Sequence, residues 1–267
     1  MARPRLRQRK HGRKRGRGYQ DASVLDRYQA IDPDKLALTV ESTVLDVGCG
    51  MGRHIIDLSQ FPGTFVGLDM DREELRRMRY LLDGASRERG ERANVHMVEG
   101  DGERLPFADG FFSHAICTET LEHVPDDEAL LRELVRVLRP GGVLVIAVPD
   151  EYSERLLWRV SEGYRTTPGG HVRIYRRKQI KELLRKHGAA PYAVQFRHSL
   201  EAMRWLAHCI IDREWEKAGL MTRALRWLLD TPSHRDWRGL AWCDALGNYM
   251  LPKSIVLYGR KPERAAN

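Results

Sequence analysis

Short apolar runs alternate with helical patterns through the first part of this 267-residue chain, and no other feature limits its fold as much. The strand-like runs are "STVLDVG" from 42, "TFVGLD" from 64, "NVHMVEG" from 94, "FFSHAICT" from 111 and "VLVIAVP" from 143. Between them lie "GRHIIDLSQF", "DREELRRMRYLLDGA" and "DDEALLRELVRVL". The last carries apolar residues at 130, 131, 134, 135, 137 and 138, one face of a helix. Asp126 suits its N-cap, and Pro140-Gly141-Gly142 stops it. Strands alternating with helices predict βαβ units and a parallel sheet covered on both faces. A ligand of such a sheet sits beyond the carboxyl ends of the strands.

The first strand-to-helix turn, "VLDVGCGMGRH", places glycines at 48, 50 and 52, just after Asp46. Missing side chains there permit tight turning and close approach of a ligand to the backbone, with a helix start adding amide donors. A dinucleotide pyrophosphate or a smaller nucleoside bearing a carboxylate would both fit. Arg53 stands where a dinucleotide fingerprint needs its third glycine, so the loop alone does not choose. Asp69, at the end of the second run, can accept hydrogen bonds from ribose hydroxyls of either ligand. Asp101 follows the third run in "EGDGERLPFADGFF", where a carboxylate can meet an adenine amino group and "LPF" can flank a ring.

"VLDVGCGMG", "GLDMD", "EGDGERLPFADGFFSHAICTETLEHV" and "LRPGGVLVIAVP" resemble, in order across 44–149, the successive motifs of class I S-adenosylmethionine-dependent methyltransferases. The resemblance is to the small-molecule branch that includes quinone-biosynthesis enzymes. It implies a Rossmann-like, doubly wound seven-stranded sheet whose last strand is antiparallel, with S-adenosylmethionine as cofactor. Asp46, Gly48, Cys49 and Gly50 would line its methionine end and Asp69 would hold the ribose. Met70 would lie against the adenine, Asp101 and Gly102 at the adenine edge, and Thr118 beside the sulfonium. Glu122 and His123 match a motif pair whose role is read as structural. Methyl transfer is an in-line displacement driven mainly by alignment. A base is needed only where the acceptor is a neutral hydroxyl or an ammonium.

Acceptor clues lie outside these motifs. In "TPGGHVRIY", His171 is the candidate catalytic base. Arg173 and Tyr175 would share its face if the run is extended. "RRKQIKELLRKHG" reads as a helix, "PYAVQFRH" and "KSIVLYGRK" as the sixth and seventh strands. Residues 198–252 are too long for a simple connection; they are expected to form a helical lid holding five of the six tryptophans, suited to a small-molecule, lipid or glycan acceptor.

Residues 1–18 hold nine of the 45 Lys and Arg and no acid. The rest therefore balances 36 bases against 37 acids, so the net charge of +8 belongs to a tail. That tail is expected to be disordered and able to contact an anionic membrane surface or RNA; the methyltransferase domain would occupy 19–267. An RNA methyltransferase recruited by the tail and a non-catalytic cofactor-binding protein are the alternatives. No secretory signal is evident, and four cysteines without a CxxC pair argue against a zinc site, so no metal and a cytoplasmic setting are expected.

Overall fold

The apolar runs form one seven-stranded sheet in a computed structural model, which describes residues 30–89, 94–167, 170–213 and 238–263. Its strands are β1 (Thr43–Val47), β2 (Thr64–Asp69), β3 (Val95–Glu99), β4 (Phe112–Thr118), β5 (Leu138–Pro149), β6 (Ala190–Arg197) and β7 (Ser254–Arg260). Their spatial order is β3-β2-β1-β4-β5-β7-β6. The first five are parallel, and β7 runs antiparallel to both β5 and β6. The expected topology, antiparallel last strand included, is therefore present.

The helices are α1 (Arg53–Leu58), α2 (Arg72–Arg89), α3 (Asp127–Val137), α4 (Glu151–Val160), α5 (Glu162–Arg165), α6 (Arg177–Lys186), α7 (Ser199–Arg213) and α8 (Arg238–Gly247). Core packs on both faces of the sheet. One cluster joins Leu45, Leu68 and Ile146 to Leu130, Leu134 and Leu184; the other joins Val44, Phe65 and Val145 to Ile55 and Met78. Strands buried on both faces run to continuous apolar sequence, as the second half of β5 does; β4 is buried throughout although it includes Ser113, His114 and Thr118.

The Asp126 side chain caps α3 by accepting the amide of Ala129 at 2.8 Å. The helix ends at Val137, and β5 begins at Leu138, earlier than the apolar run implied. Pro140 has no amide and disfavours helical geometry at the residue before it, so the chain straightens directly into the strand.

The tail, residues 1–18, lies outside the described residues, as do Trp215, Trp227 and Trp237 of the expected lid. What is described of that region is two helices, α7 and α8, in the connection between β6 and β7. Asp244 of α8 ties them by accepting from the Leu200 amide at 2.8 Å and the Ser199 hydroxyl at 3.1 Å.

Candidate functional site

The carboxyl ends of β1, β2, β3 and β4 lie side by side, with Val47 aligned to Leu68 and Cys117, and Asp69 to Glu99. Asp46, Asp69, Asp101 and Thr118 thus reach one edge from four strands. Asp46 is buried, and neither of its carboxylate oxygens has a hydrogen-bond partner. Burial pushes its pKa up to about 7, with Arg53 opposing the rise and the Asp69 charge adding to it. A buried carboxylate without donors is costly, so this position suits a cation supplied from outside.

The three glycines of the turn all have positive φ, yet for different reasons. A Cβ on Gly48 would lie 2.2 Å from Thr120 Oγ1, and one on Gly52 would lie 2.4 Å from Met78 Cγ. Those two make room for the protein itself. Only Gly50 faces open space, with nothing within 4 Å of a built Cβ. The room for a ligand is therefore at Gly50. The helix that follows has six residues, so the amide and dipole contribution expected there is small.

Asp69 braces this loop. Its Oδ2 accepts the Gly50 amide and its Oδ1 the Asp71 amide, each at 2.8 Å. Each oxygen keeps a second lone pair for another donor. Met70 beside it is 71% exposed, an apolar surface standing at the rim of the edge. Cys49 is turned inward: its Sγ meets Met78 Sδ at 3.9 Å and its amide donates to Leu68 O at 3.1 Å. Gly102 is also a packing glycine, since a Cβ would lie 2.8 Å from Val47 Cγ1. Asp101 is exposed and accepts the Glu103 amide at 2.9 Å, closing its turn.

A second cluster lies past the end of β4. Glu119 follows Thr118 at φ +51, a left-handed conformation that a non-glycine residue adopts at a cost. Its carboxylate accepts from Ser254 Oγ at 2.8 Å and sits 3.6 Å from Lys253 Nζ. Burial works against its charge, but Lys253 and Ser254 outweigh that and hold its pKa below the usual value. Glu122 is fully buried, its two oxygens make no hydrogen bond, and burial with the Glu119 charge drives its pKa well up. The Lys253 charge opposes that rise but does not outweigh it.

His171 lies beside Glu122. Its Nδ1 is 2.6 Å from Glu154 Oε1, and Glu154 also accepts from Trp158 Nε1 at 2.7 Å and the Tyr164 hydroxyl at 3.2 Å. An ionised carboxylate only accepts, so the network places a proton on His171 Nδ1, and in the neutral ring Nε2 is then the acceptor. That Nε2 stands 3.9 Å from Glu122 Oε1. Tyr164, whose ring centroid is 6.1 Å from that of His171, borders a cavity of about 700 Å³ between α4, α5 and α7. Trp205 and Cys209 of α7 line its other side.

Arg173 and Tyr175 do not join this cluster. Tyr175 is buried and donates to Asp127 Oδ2 at 2.6 Å, while Arg173 pairs with Asp127 at 3.1 Å and donates to Pro125 O at 2.8 Å. The segment is irregular rather than a strand, so alternate residues share no face. Both fasten the His171 loop to the start of α3.

Residues 45–146 match a methyltransferase domain family, Methyltransf_11. The chain carries a class I S-adenosylmethionine-dependent methyltransferase domain. It is 36% identical over 43% of its length to "Methyltransferase GfsG" of Streptomyces halstedii, covering 40% of that protein. It is 36% identical over 39% of its length to "Demethylmenaquinone methyltransferase" of Staphylococcus saprophyticus, covering 43% of it. The chain thus spans less than half of either curated relative. A solved S-adenosylmethionine-dependent methyltransferase from Methanosarcina mazei superposes with a TM-score of 0.58 at 16% identity, covering 88% of this chain and 99% of that one; at that identity it shows the fold.

The methyltransferase domain's cofactor is S-adenosylmethionine, and two features of this edge fit it: the unpartnered buried Asp46 and the open space at Gly50. Glu154, Trp158 and Tyr164 went unnoticed in the sequence. The available signal was an acid placed between Ser153 and Leu157 on the buried face of the amphipathic "EYSERLLWRV".

Proposed function

We propose that this protein transfers the methyl group of S-adenosylmethionine to a hydroxyl oxygen of a small-molecule, lipid or glycan acceptor. When bound, the cofactor supplies a methyl group activated on a sulfonium. In this reading Asp46 receives the cofactor's ammonium, and the open space at Gly50 receives its methionine end. Asp69 accepts from the ribose through the lone pairs left after it braces Gly50 and Asp71. Met70 and Asp101 flank the adenine, and Thr118 lies beside the reacting centre. Gly48, Cys49 and Gly102 shape the site by packing. His171 serves the acceptor: Glu154 holds its proton on Nδ1, so Nε2 is the atom able to engage an acceptor hydroxyl. The tryptophan-bearing α7 forms part of a lid over the cavity it shares with Tyr164.

The observation that carries this reading is the Glu154–His171 pair at 2.6 Å, which orients an imidazole beside the loop leaving β4. An oriented base is needed for a hydroxyl acceptor and superfluous for an acceptor that is already a good nucleophile. Replacing His171 with Ala should lower turnover with a hydroxylated acceptor roughly 10²-fold while sparing cofactor affinity measured by calorimetry. Undiminished turnover in that variant would leave methyl transfer by positioning alone. Absence of cofactor binding in the parent protein would remove the whole reading.

A further inference from the structure

Glu122, His123 and His171 bring three possible ligand groups together at one point. Glu122 Oε1 lies 3.9 Å from His123 Nε2 and 3.9 Å from His171 Nε2. That is too long for a hydrogen bond. The three donor atoms all lie within 4.8 Å of one another, and the two rings meet edge to face with centroids 4.9 Å apart.

Each imidazole is steered from its far side. His171 Nδ1 lies against Glu154 at 2.6 Å, and His123 Nδ1 lies 3.2 Å from the carbonyl of Gly170. Both partners only accept, so both rings carry a proton on Nδ1, which in the neutral ring makes Nε2 the nitrogen able to ligate. A carboxylate or backbone carbonyl behind a histidine is the usual outer support of a metal ligand. Glu122 supplies the charge. It is fully buried, its oxygens have no hydrogen-bond partner, and its Oε1 is 3.9 Å from each of the two Nε2 atoms.

We propose that Glu122, His123 and His171 bind a divalent first-row transition ion, with the remaining coordination positions open to the acceptor's oxygen. An ion in the plane of the three donors would sit about 2.2–2.5 Å from each, a few tenths of an ångström beyond ordinary bonds to nitrogen and carboxylate oxygen. Small ring rotations close that difference. Two imidazoles and one carboxylate favour transition ions over calcium or magnesium, which prefer oxygen donors.

The nearby charges agree with a cation here. Glu119 is offset by Lys253, and Glu154 by its three donors. Lys253 acts on Glu122 as well, but burial and the Glu119 charge outweigh it, and no hydrogen bond reaches its oxygens. This deepens the proposed function and rests on it for the acceptor. With the ion bound, His171 Nε2 serves the acceptor as a ligand of the ion and no longer as the base itself: the coordinated acceptor hydroxyl gives its proton to bulk water as its oxygen attacks the methyl group.

The test is titration of the tag-free full-length chain with cobalt(II) alone, followed by its visible absorption and by calorimetry. One ion per chain is expected, with a ligand-field band that Glu122→Gln and His171→Asn each weaken at least 10-fold in affinity. His96→Asn, at an exposed position on β3, should bind like the parent. Equal binding in all four proteins, or no ligand-field band in the parent, would overturn the proposal. Glu122→Gln guards against loss of fold, because removing an unpaired buried charge should leave the protein at least as stable. The two readings fail separately. Methyl transfer that persists after exhaustive chelation, with no cobalt band, removes the metal and keeps the methyltransferase. A cobalt band in a protein that methylates no hydroxylated acceptor keeps the metal site and removes the acceptor assignment.

Discussion

The cofactor edge and the proposed acceptor edge each hold one buried carboxylate without a hydrogen-bond partner, Asp46 and Glu122. They differ in how their surroundings are assembled. Asp46 is framed by Gly50 and Asp69, all near in sequence and joined by neighbouring parallel strands. Glu122 is framed by residues from 119 to 171, brought together by the end of β4, α4 and an irregular loop. The second edge also contains its own contrast. Glu154 is as buried as Glu122 but receives three donors, from Trp158, Tyr164 and His171. A satisfied buried acid serves as a support, whereas an unsatisfied one favours a ligand that brings it a donor or a cation.

That contrast predicts opposite signs for two glutamate replacements. Glu154→Ala removes the acceptor of three part-buried donors and should destabilise the fold by about 3–5 kcal/mol, read from denaturant unfolding. A loss under about 1 kcal/mol would show that water replaces the carboxylate easily. Glu122→Gln should instead stabilise by about 0.5–2 kcal/mol at pH 8 in metal-free protein. Burial raises the Glu122 pKa in the fold, so the native state holds its proton more tightly than the unfolded chain. Its contribution is complete below the unfolded value of about 4.3 and is lost as pH rises through the folded value. The advantage of Gln should therefore grow from pH 5 to pH 8. A variant that melts lower than the parent at both would mean Glu122 is paired after all.

On the cofactor edge, Gly48 and Gly50 separate packing from ligand room. Gly48→Ala drives a Cβ onto Thr120 in a left-handed backbone and should cost about 2–4 kcal/mol of stability. Gly50→Ala meets no protein atom, so only the backbone strain of about 1–2 kcal/mol applies. Its methyl enters the space proposed for the cofactor, and S-adenosylmethionine affinity should fall about tenfold or more. Equal affinity for that variant and the parent would move the ligand away from Gly50.

The same division explains what the sequence made legible. The cofactor edge was readable because its residues lie on strand ends that a parallel sheet must align. Strand order places Asp46, Asp69 and Asp101 at one edge, whereas Thr118 was named only through the motif resemblance. The acceptor edge depends on the path of chain between β5 and β6, which carries no period. Nothing in "EYSERLLWRV" announced that Glu154 would reach His171, seventeen residues on. Arg173 and Tyr175 were assigned to His171's face by an extended period that the loop does not have. The alternation of glycines at 48, 50 and 52 was legible, but only packing distances separate Gly50 from its neighbours. Glu122 and His123 were visible as a pair. That Glu122 lacks partners is a property of the folded neighbourhood and could not be read from the motif.

The finest test asks whether the two unpartnered carboxylates act independently. In the free protein Asp46 has a pKa near 7, so at pH 6 it is mostly protonated. Receiving a ligand ammonium requires it to ionise, and the proton must leave. Binding of S-adenosylmethionine at pH 6 should therefore release about one proton, seen as a calorimetric heat that varies with buffer ionisation enthalpy. Release should fall toward zero by pH 8, where Asp46 is already charged. Affinity should rise by up to about tenfold per pH unit below 7 and then level off. Asp46→Asn should bind more weakly at pH 8 and release no proton at either pH. Glu122→Gln should leave the release unchanged, because Glu122 faces the histidines and not the glycine turn. Release that Glu122→Gln abolishes would couple the two edges into one titrating site. Release absent from the parent would mean that Asp46 does not meet the ammonium.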